Sequence, residues 1–248
     1  TGVQTCALPI LLMSAWLLLA VQPASATGQV LGIHLLHPDE IKQFRQVFPD
    51  EQWRYVTIPL TLNDLQRHKQ WQEFFDLAYS QKVTPIVRLA TRFDSELNAW
   101  QIPSKKDIID LVTFLSSLDW HQAQRHVIVF NEVNHANEWG GQLDPAGYAR
   151  TLRFTSNWLK TESKNYLVLP AALDLATSSD GDSLEAFAYL NRLYQSDPEV
   201  FSYIDFWNSH SYPNPGFESP PQRNAKNSLR GFTFELNFLK QKTGRDFQ

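Results

Sequence analysis

Hydrophobic residues in this chain come in short bursts separated by amphipathic stretches. Six bursts have the length and β-branched or aromatic content of strands: residues 30–35, 55–60, 83–89, 126–131, 166–173 and 203–210. Between and after them, apolar positions recur at helical spacing over 38–47, 63–80, 105–118, 145–160, 183–195 and 229–242. Helix starts are marked by Asn63-Asp64, by Ser104 ahead of Lys105-Lys106-Asp107, and by Asp144-Pro145, while Gly244 marks a stop. Six β-α units in series without a long linker predict an α/β fold with a parallel sheet, either open and doubly wound or closed as a (β/α)8 TIM barrel. Residues 32–38, Gly-Ile-His-Leu-Leu-His-Pro, contain no Gly-x-Gly after the first strand, so the barrel is favoured over a nucleotide-binding open sheet. Eight units are needed for closure. Residues 240–248 read as a helix end and a loop leading towards a seventh strand, which predicts an incomplete barrel from a gene fragment.

Where the bursts end is more informative than where they begin. The apolar run Val127-Ile128-Val129-Phe130 stops abruptly on Asn131-Glu132, as a buried parallel strand would if it delivered a carboxylate to its C-terminal mouth. The run from Tyr203 ends in Asn208-Ser209-His210-Ser211-Tyr212, and strand periodicity puts Asn208, His210 and Tyr212 on one face. Arg88 shares parity with Ile86 on the third strand and is a candidate to point into the mouth, with a structural loop arginine as the alternative. Asp174, after the fifth strand, reads equally as a ligand for a sugar hydroxyl or as a cap for the next helix. His34, ending the first strand, reads as a binding residue or as a histidine satisfied within the fold. Trp139 is either a stacking platform or packing over the rim.

Composition narrows the partners. A formal charge of -4 and the absence of a Lys/Arg cluster leave no electrostatic footprint for nucleic acid or an anionic membrane, so an uncharged substrate is expected. Aromatic residues make up 13% of the chain, including eight Trp, which suits stacking against sugar faces as well as core filling. Residues 10–21 are almost wholly apolar yet short for a bilayer, and Ala24-Ser25-Ala26 follows as a cleavage pattern. Residues 11–26 are therefore read as a signal peptide, with an uncleaved anchor as the alternative. Cleavage would yield a secreted or periplasmic domain over 27–248 with no stable membrane insertion. Residues 1–10 resemble translated sequencing adapter and hold Cys6, the only cysteine, so no disulfide or Cys-ligated metal is expected in the domain.

The Asn131-Glu132 and His210-x-Tyr212 pair, within FNEVNHANEWGG, PIVRLAT and NSHSYPNPGF, resembles the retaining glycoside hydrolases of clan A, which are (β/α)8 barrels. It is similar in particular to cellulase-superfamily proteins related to glycoside hydrolase families 5 and 39, over about residues 28–248. The resemblance implies that Glu132 is the acid/base and that Asn131 holds the sugar 2-hydroxyl. It places the nucleophile, a Glu ending a seventh strand, beyond Gln248. Tyr212 would hydrogen-bond that nucleophile, and His210 would orient substrate or tune the acid. Where the family has Asn-Glu-Pro, this chain has Val133, a change to the turn rather than to the carboxyl. The implied substrate is a β-linked oligo- or polysaccharide, hydrolysed with retention between two carboxylates roughly 5 to 5.5 Å apart. No cofactor or metal is implied. Two other readings stand beside it: a barrel that binds carbohydrate without turnover, and a metal-dependent hydrolase in which His34, His37, His135 and His210 cluster.

Overall fold

The computed structural model describes residues 31–50 and 52–247. The expected adapter-like stretch, signal peptide and cleavage site lie outside the described residues. Five strands form one parallel sheet: β1 (Gly32–His34), β2 (Arg54–Thr61), β3 (Val83–Ala90), β4 (Arg125–Val129) and β5 (Tyr166–Pro170). Their order in the sheet is their order in the chain, β1-β2-β3-β4-β5. A doubly wound sheet reverses direction at a switch point. Here no reversal occurs among the described residues, so the topology is that of a barrel wall.

Strict alternation explains why these segments are strands covered on one side. In β2, Val56, Ile58 and Leu60 are buried while Tyr55, Thr57, Pro59 and Thr61 between them are only partly so. The same two-residue period runs through β3. The buried set joins one core with Trp71, Phe74 and Phe75 of α2 (His68–Ser80), Leu111 of α3 (Lys105–Ser116) and Leu152 of α4 (Pro145–Glu162). Two further helices, α5 (Ala186–Ser196) and α6 (Gly231–Thr243), follow β5, and the short α1 (Phe44–Val47) follows β1.

Helix ends follow local chemistry. Ser104 Oγ accepts from the Asp107 N–H and Asp107 answers by accepting from the Ser104 N–H, a reciprocal cap that starts α3. Asp144 Oδ1 accepts from the Gly147 N–H ahead of Pro145, which starts α4. Gly244, at φ 71°, ends α6 in the left-handed conformation that a glycine adopts without strain. Elsewhere the boundaries shift. Thr61, not Asn63, caps the next segment, and residues 62–66 form a 3-10 turn before α2 begins. The helix expected over 38–47 is mostly 3-10. The helix expected from Ser183 starts at Ala186, because the Ser183 N–H is held by the Asp180 carboxylate.

The sixth strand is the main correction. Residues 200–203 form a 3-10 turn, and the expected strand over 203–210 contributes a single parallel bridge, Asp174 with His210. The segment still runs beside β5, but side chains interrupt the ladder. The Val168 N–H donates to the Asp205 carboxylate at 2.7 Å instead of to a carbonyl, and Pro170 has no N–H to give. Lys160 pairs with the same carboxylate at 2.8 Å and fixes it there.

Candidate active site

The turn that leaves β4 carries the densest polar cluster. Phe130 and Glu132 have positive φ values, 69° and 32°, on either side of Asn131. Each such residue costs on the order of 1–3 kcal/mol and persists only where surrounding contacts enforce it. Here the Glu132 N–H donates to the Ala172 carbonyl and the His135 N–H donates to the Glu132 carbonyl. The kink turns the Glu132 side chain onto His210, whose Nδ1 lies 2.6 Å from Oε1. The two side chains remain 24% and 22% exposed, so the carboxyl is held but reachable. Tyr212 flanks the pair with its ring centroid 5.4 Å from that of His210, and it is 39% exposed. Burial first, then the Glu132 charge, holds its phenol above the usual pKa.

Arg88 points into the same mouth. Its Nη1 donates to Asn131 Oδ1 at 2.7 Å, which fixes the amide so that Nδ2 faces Glu138 Oε2 at 3.4 Å. Burial pulls the guanidinium pKa down, while Glu138, Glu132 and Tyr212 push it back, and an arginine in that position stays charged. The Glu138 carboxyl is pushed up, chiefly by burial and further by the Glu132 charge, against the opposing pull of the Asn131 amide and Arg88. His34 sits at the exposed rim on the same side of the sheet. Partial desolvation, then the charges of Arg88 and His210, hold its imidazole below the ordinary value.

A cleft of about 290 Å³ opens beside this cluster, over the C-terminal ends of β1 to β4. Arg88, Asn131 and Glu138 form its polar end, and Leu36, Pro59, Leu89 and Phe130 give it apolar walls. Its remaining side is Trp100, from a short antiparallel ribbon, Phe93–Asp94 against Ala99–Trp100, that follows β3. The ribbon is tied to the turn after β4 through the Gly140 N–H, which donates to the Trp100 carbonyl. Gly140 (φ 63°) is close to obligatory, since a Cβ there would lie 2.7 Å from Ile102 Cγ1.

Glu132, His210, Tyr212, Asn131, Arg88, His34 and Asp174, whose backbone bridges His210, are thus brought to one end of the sheet, while Trp139 and Asp174 are engaged otherwise than expected. Trp139 is 1% exposed and packed edge-on between Phe130 and Tyr148, so it offers no free ring face for stacking. Asp174 caps no helix. One oxygen accepts from the Ala176 N–H and the other lies 3.0 Å from His135 Nε2, so its carboxylate braces the rim. Of the histidines of the metal-centre alternative, His210 is engaged by Glu132 and His135 by Asp174. Among the described residues no group of three or more His, Cys, Asp or Glu is arranged to hold a metal ion. Glu138 is the site residue that sequence reasoning missed. The available signal was a carboxylate just before Trp139-Gly140-Gly141, on a turn that must fold back over the strand end.

Comparison with solved structures bears on the fold. A monomeric beta-xylosidase from Caulobacter crescentus CB15 superposes with a TM-score of 0.54 at 16% identity, covering 74% of this chain and 42% of that one. An endo-1,4-beta-mannanase from Eisenia fetida gives a TM-score of 0.46 at 15% identity, covering 72% of this chain and 61% of that one. The fold is that of a TIM barrel, as in the xylosidase, with five regular strands among the described residues. The chain spans less than half the length of the xylosidase and about three-fifths of the mannanase. No protein-family model and no curated protein matches the sequence.

Proposed function

We propose that the protein is a retaining β-glycosidase in which Glu132 is the general acid/base. The observation that carries this reading is the 2.6 Å contact of Glu132 with His210 at the strained exit of β4, beside the Arg88-clamped Asn131. Glu132 gives its proton to the glycosidic oxygen as the C–O bond breaks, then takes one from the water that releases the sugar. His210 holds the carboxyl in place through both steps. Asn131, its carbonyl occupied by Arg88, turns its N–H donors towards the substrate. The second carboxylate is assigned by the family resemblance to a seventh strand, and Tyr212 is the residue that would hydrogen-bond it. A β-linked glycan as substrate is supported by the architecture shared with the xylosidase. Export follows from the apolar leader, and among the described residues no helix is long and apolar enough to cross a membrane.

Replacing Glu132 by Ala is expected to lower kcat by roughly 10²–10⁴ on glycosides with poor leaving groups. With an activated aryl β-glycoside the slow step becomes deglycosylation, and azide should restore turnover, because an external anion needs no general base. Wild-type rates in Glu132→Ala, or a loss that azide does not relieve, would remove Glu132 from the role.

A further inference from the structure

The cleft beside Glu132 has a feature that the acid/base chemistry does not use. Glu138 lines it with a carboxyl that accepts one long hydrogen bond, 3.4 Å from Asn131 Nδ2, although an ionised carboxylate has room for about four. Opposite stand the half-buried Trp100 and apolar side chains of Leu36 and Pro59. A volume of about 290 Å³ lies at the small end of ligand sites, which run from roughly 300 to 1,000 Å³. Apolar walls with a few convergent polar groups at one end suit a single sugar ring, whose C–H faces pack on the walls while its hydroxyls reach the polar end.

We propose that Glu138 is a specificity-determining residue whose carboxyl accepts a hydroxyl of a sugar ring seated in this cleft, selecting an uncharged ring over a uronic acid. The proposal rests on the glycan-binding part of the function given above. The charge arrangement gives the preference its sign. Arg88 is the cation at the polar end, but its Nη1 is committed to Asn131 and its charge is shared between Glu138 and Glu132. A sugar carboxylate entering there would meet two carboxylates, Glu138 and Glu132, against the single guanidinium of Arg88, so the local charge balance opposes it. A neutral hydroxyl finds an acceptor in Glu138 and a donor in Asn131.

The test is binding of methyl β-D-glucoside, β-D-xyloside and β-D-mannoside against methyl β-D-glucuronide. Tryptophan fluorescence reports it, since Trp100 and Trp139 both line the cleft. Wild-type protein should bind at least one neutral glycoside about tenfold more tightly than the glucuronide. Glu138→Ala should weaken that neutral glycoside about tenfold, the usual scale for losing a hydrogen bond to a charged group. Glu138→Gln keeps an acceptor and the side-chain volume, so it should retain neutral binding within about threefold while improving glucuronide binding. In turnover Glu138→Ala should raise KM with little change in kcat, and Glu138→Gln should leave both near wild type. Neutral binding unchanged in Glu138→Ala, or a wild-type preference for the glucuronide, overturns the proposal; if aryl β-glycosides are still hydrolysed through Glu132, the proposed function survives it. Absence of both glycoside binding and hydrolysis removes the two together. A melting temperature for Glu138→Gln equal to wild type separates recognition from misfolding.

Discussion

Along β2, Val56, Ile58 and Leu60 lie under the helices with no measurable exposure, while Tyr55, Thr57 and Thr61, one residue out of phase, are only half-buried. The contrast continues across the sheet. The helix side of β3 and β4 presents Val87, Leu89, Val127 and Val129, whereas the opposite side presents Thr84, Arg88 and His126. One face is closed and, apart from Arg54 at the start of β2, apolar. The other mixes hydroxyl, guanidinium and imidazole groups, and its C-terminal edge opens into Asn131, Glu132 and the cleft. The lesson is a division of labour at single-residue resolution: the helix-side positions carry the deepest burial, and the half-exposed positions between them can carry chemistry.

The largest expected effect breaks this comparison directly. Leu60→Ala removes a fully buried side chain from the helix face and should lower unfolding free energy by about 2–5 kcal/mol, while Thr57→Ala on the other face should cost well under half of that. Urea midpoints of the two variants measure the difference, and equal losses would show that the faces are energetically alike.

Next in size is an exception on the helix side, Glu235 of α6, which is fully buried and accepts from Ser209 Oγ. Burial pushes its carboxyl up to about 7, with Ser209 and Trp207 pulling the other way. A carboxyl with a raised folded-state pKa keeps its proton in the folded chain at pH values where the unfolded chain, at the ordinary 4.5, has lost it. Its contribution is therefore full below about 4.5 and declines as pH climbs towards 7, by up to about 3 kcal/mol. Glu235→Gln should flatten the pH dependence of the urea midpoint across that window and stabilise the protein at pH 8. A pH slope identical to that of the wild type would remove Glu235 as its source.

The arrangement was legible in the sequence where it depends on neighbours in the chain. The helix side of β2 and β3 could be read because alternation is local, and α3 and α4 start at Ser104 and Asp144 because a cap needs only the next three residues. Glu132 and His210 stood out because each follows an apolar run, and a strand must deliver its last residue to the sheet end. What could not be read depends on distant partners. The 203–210 segment has a strand's composition, but Asp205 competes for the Val168 N–H and only the fold brings them together. Trp139 looks like a platform until Phe130 and Tyr148 enclose it. Glu138 belongs to a turn with no periodicity, and its importance appears only once Arg88 orients Asn131 towards it.

The smallest expected effect sharpens the boundary of the helix layer. Ser104→Ala removes the cap of α3 and should cost about 1 kcal/mol, with Ser104→Asp near wild type because a carboxylate still accepts from the first-turn N–H groups. Chemical denaturation of the pair measures it, and an equal loss in both would assign the effect to something other than capping.

The order of the sheet also bears on how the chain acquires its structure. Every rung joins a strand to the one that follows it in the sequence, β1 to β2, β2 to β3, β3 to β4 and β4 to β5. No strand in this set waits for a distant partner, so each pairing closes a loop of only one helix-containing unit and carries a modest entropic cost. Assembly can advance as the chain emerges during synthesis, each new unit docking on a template already in place.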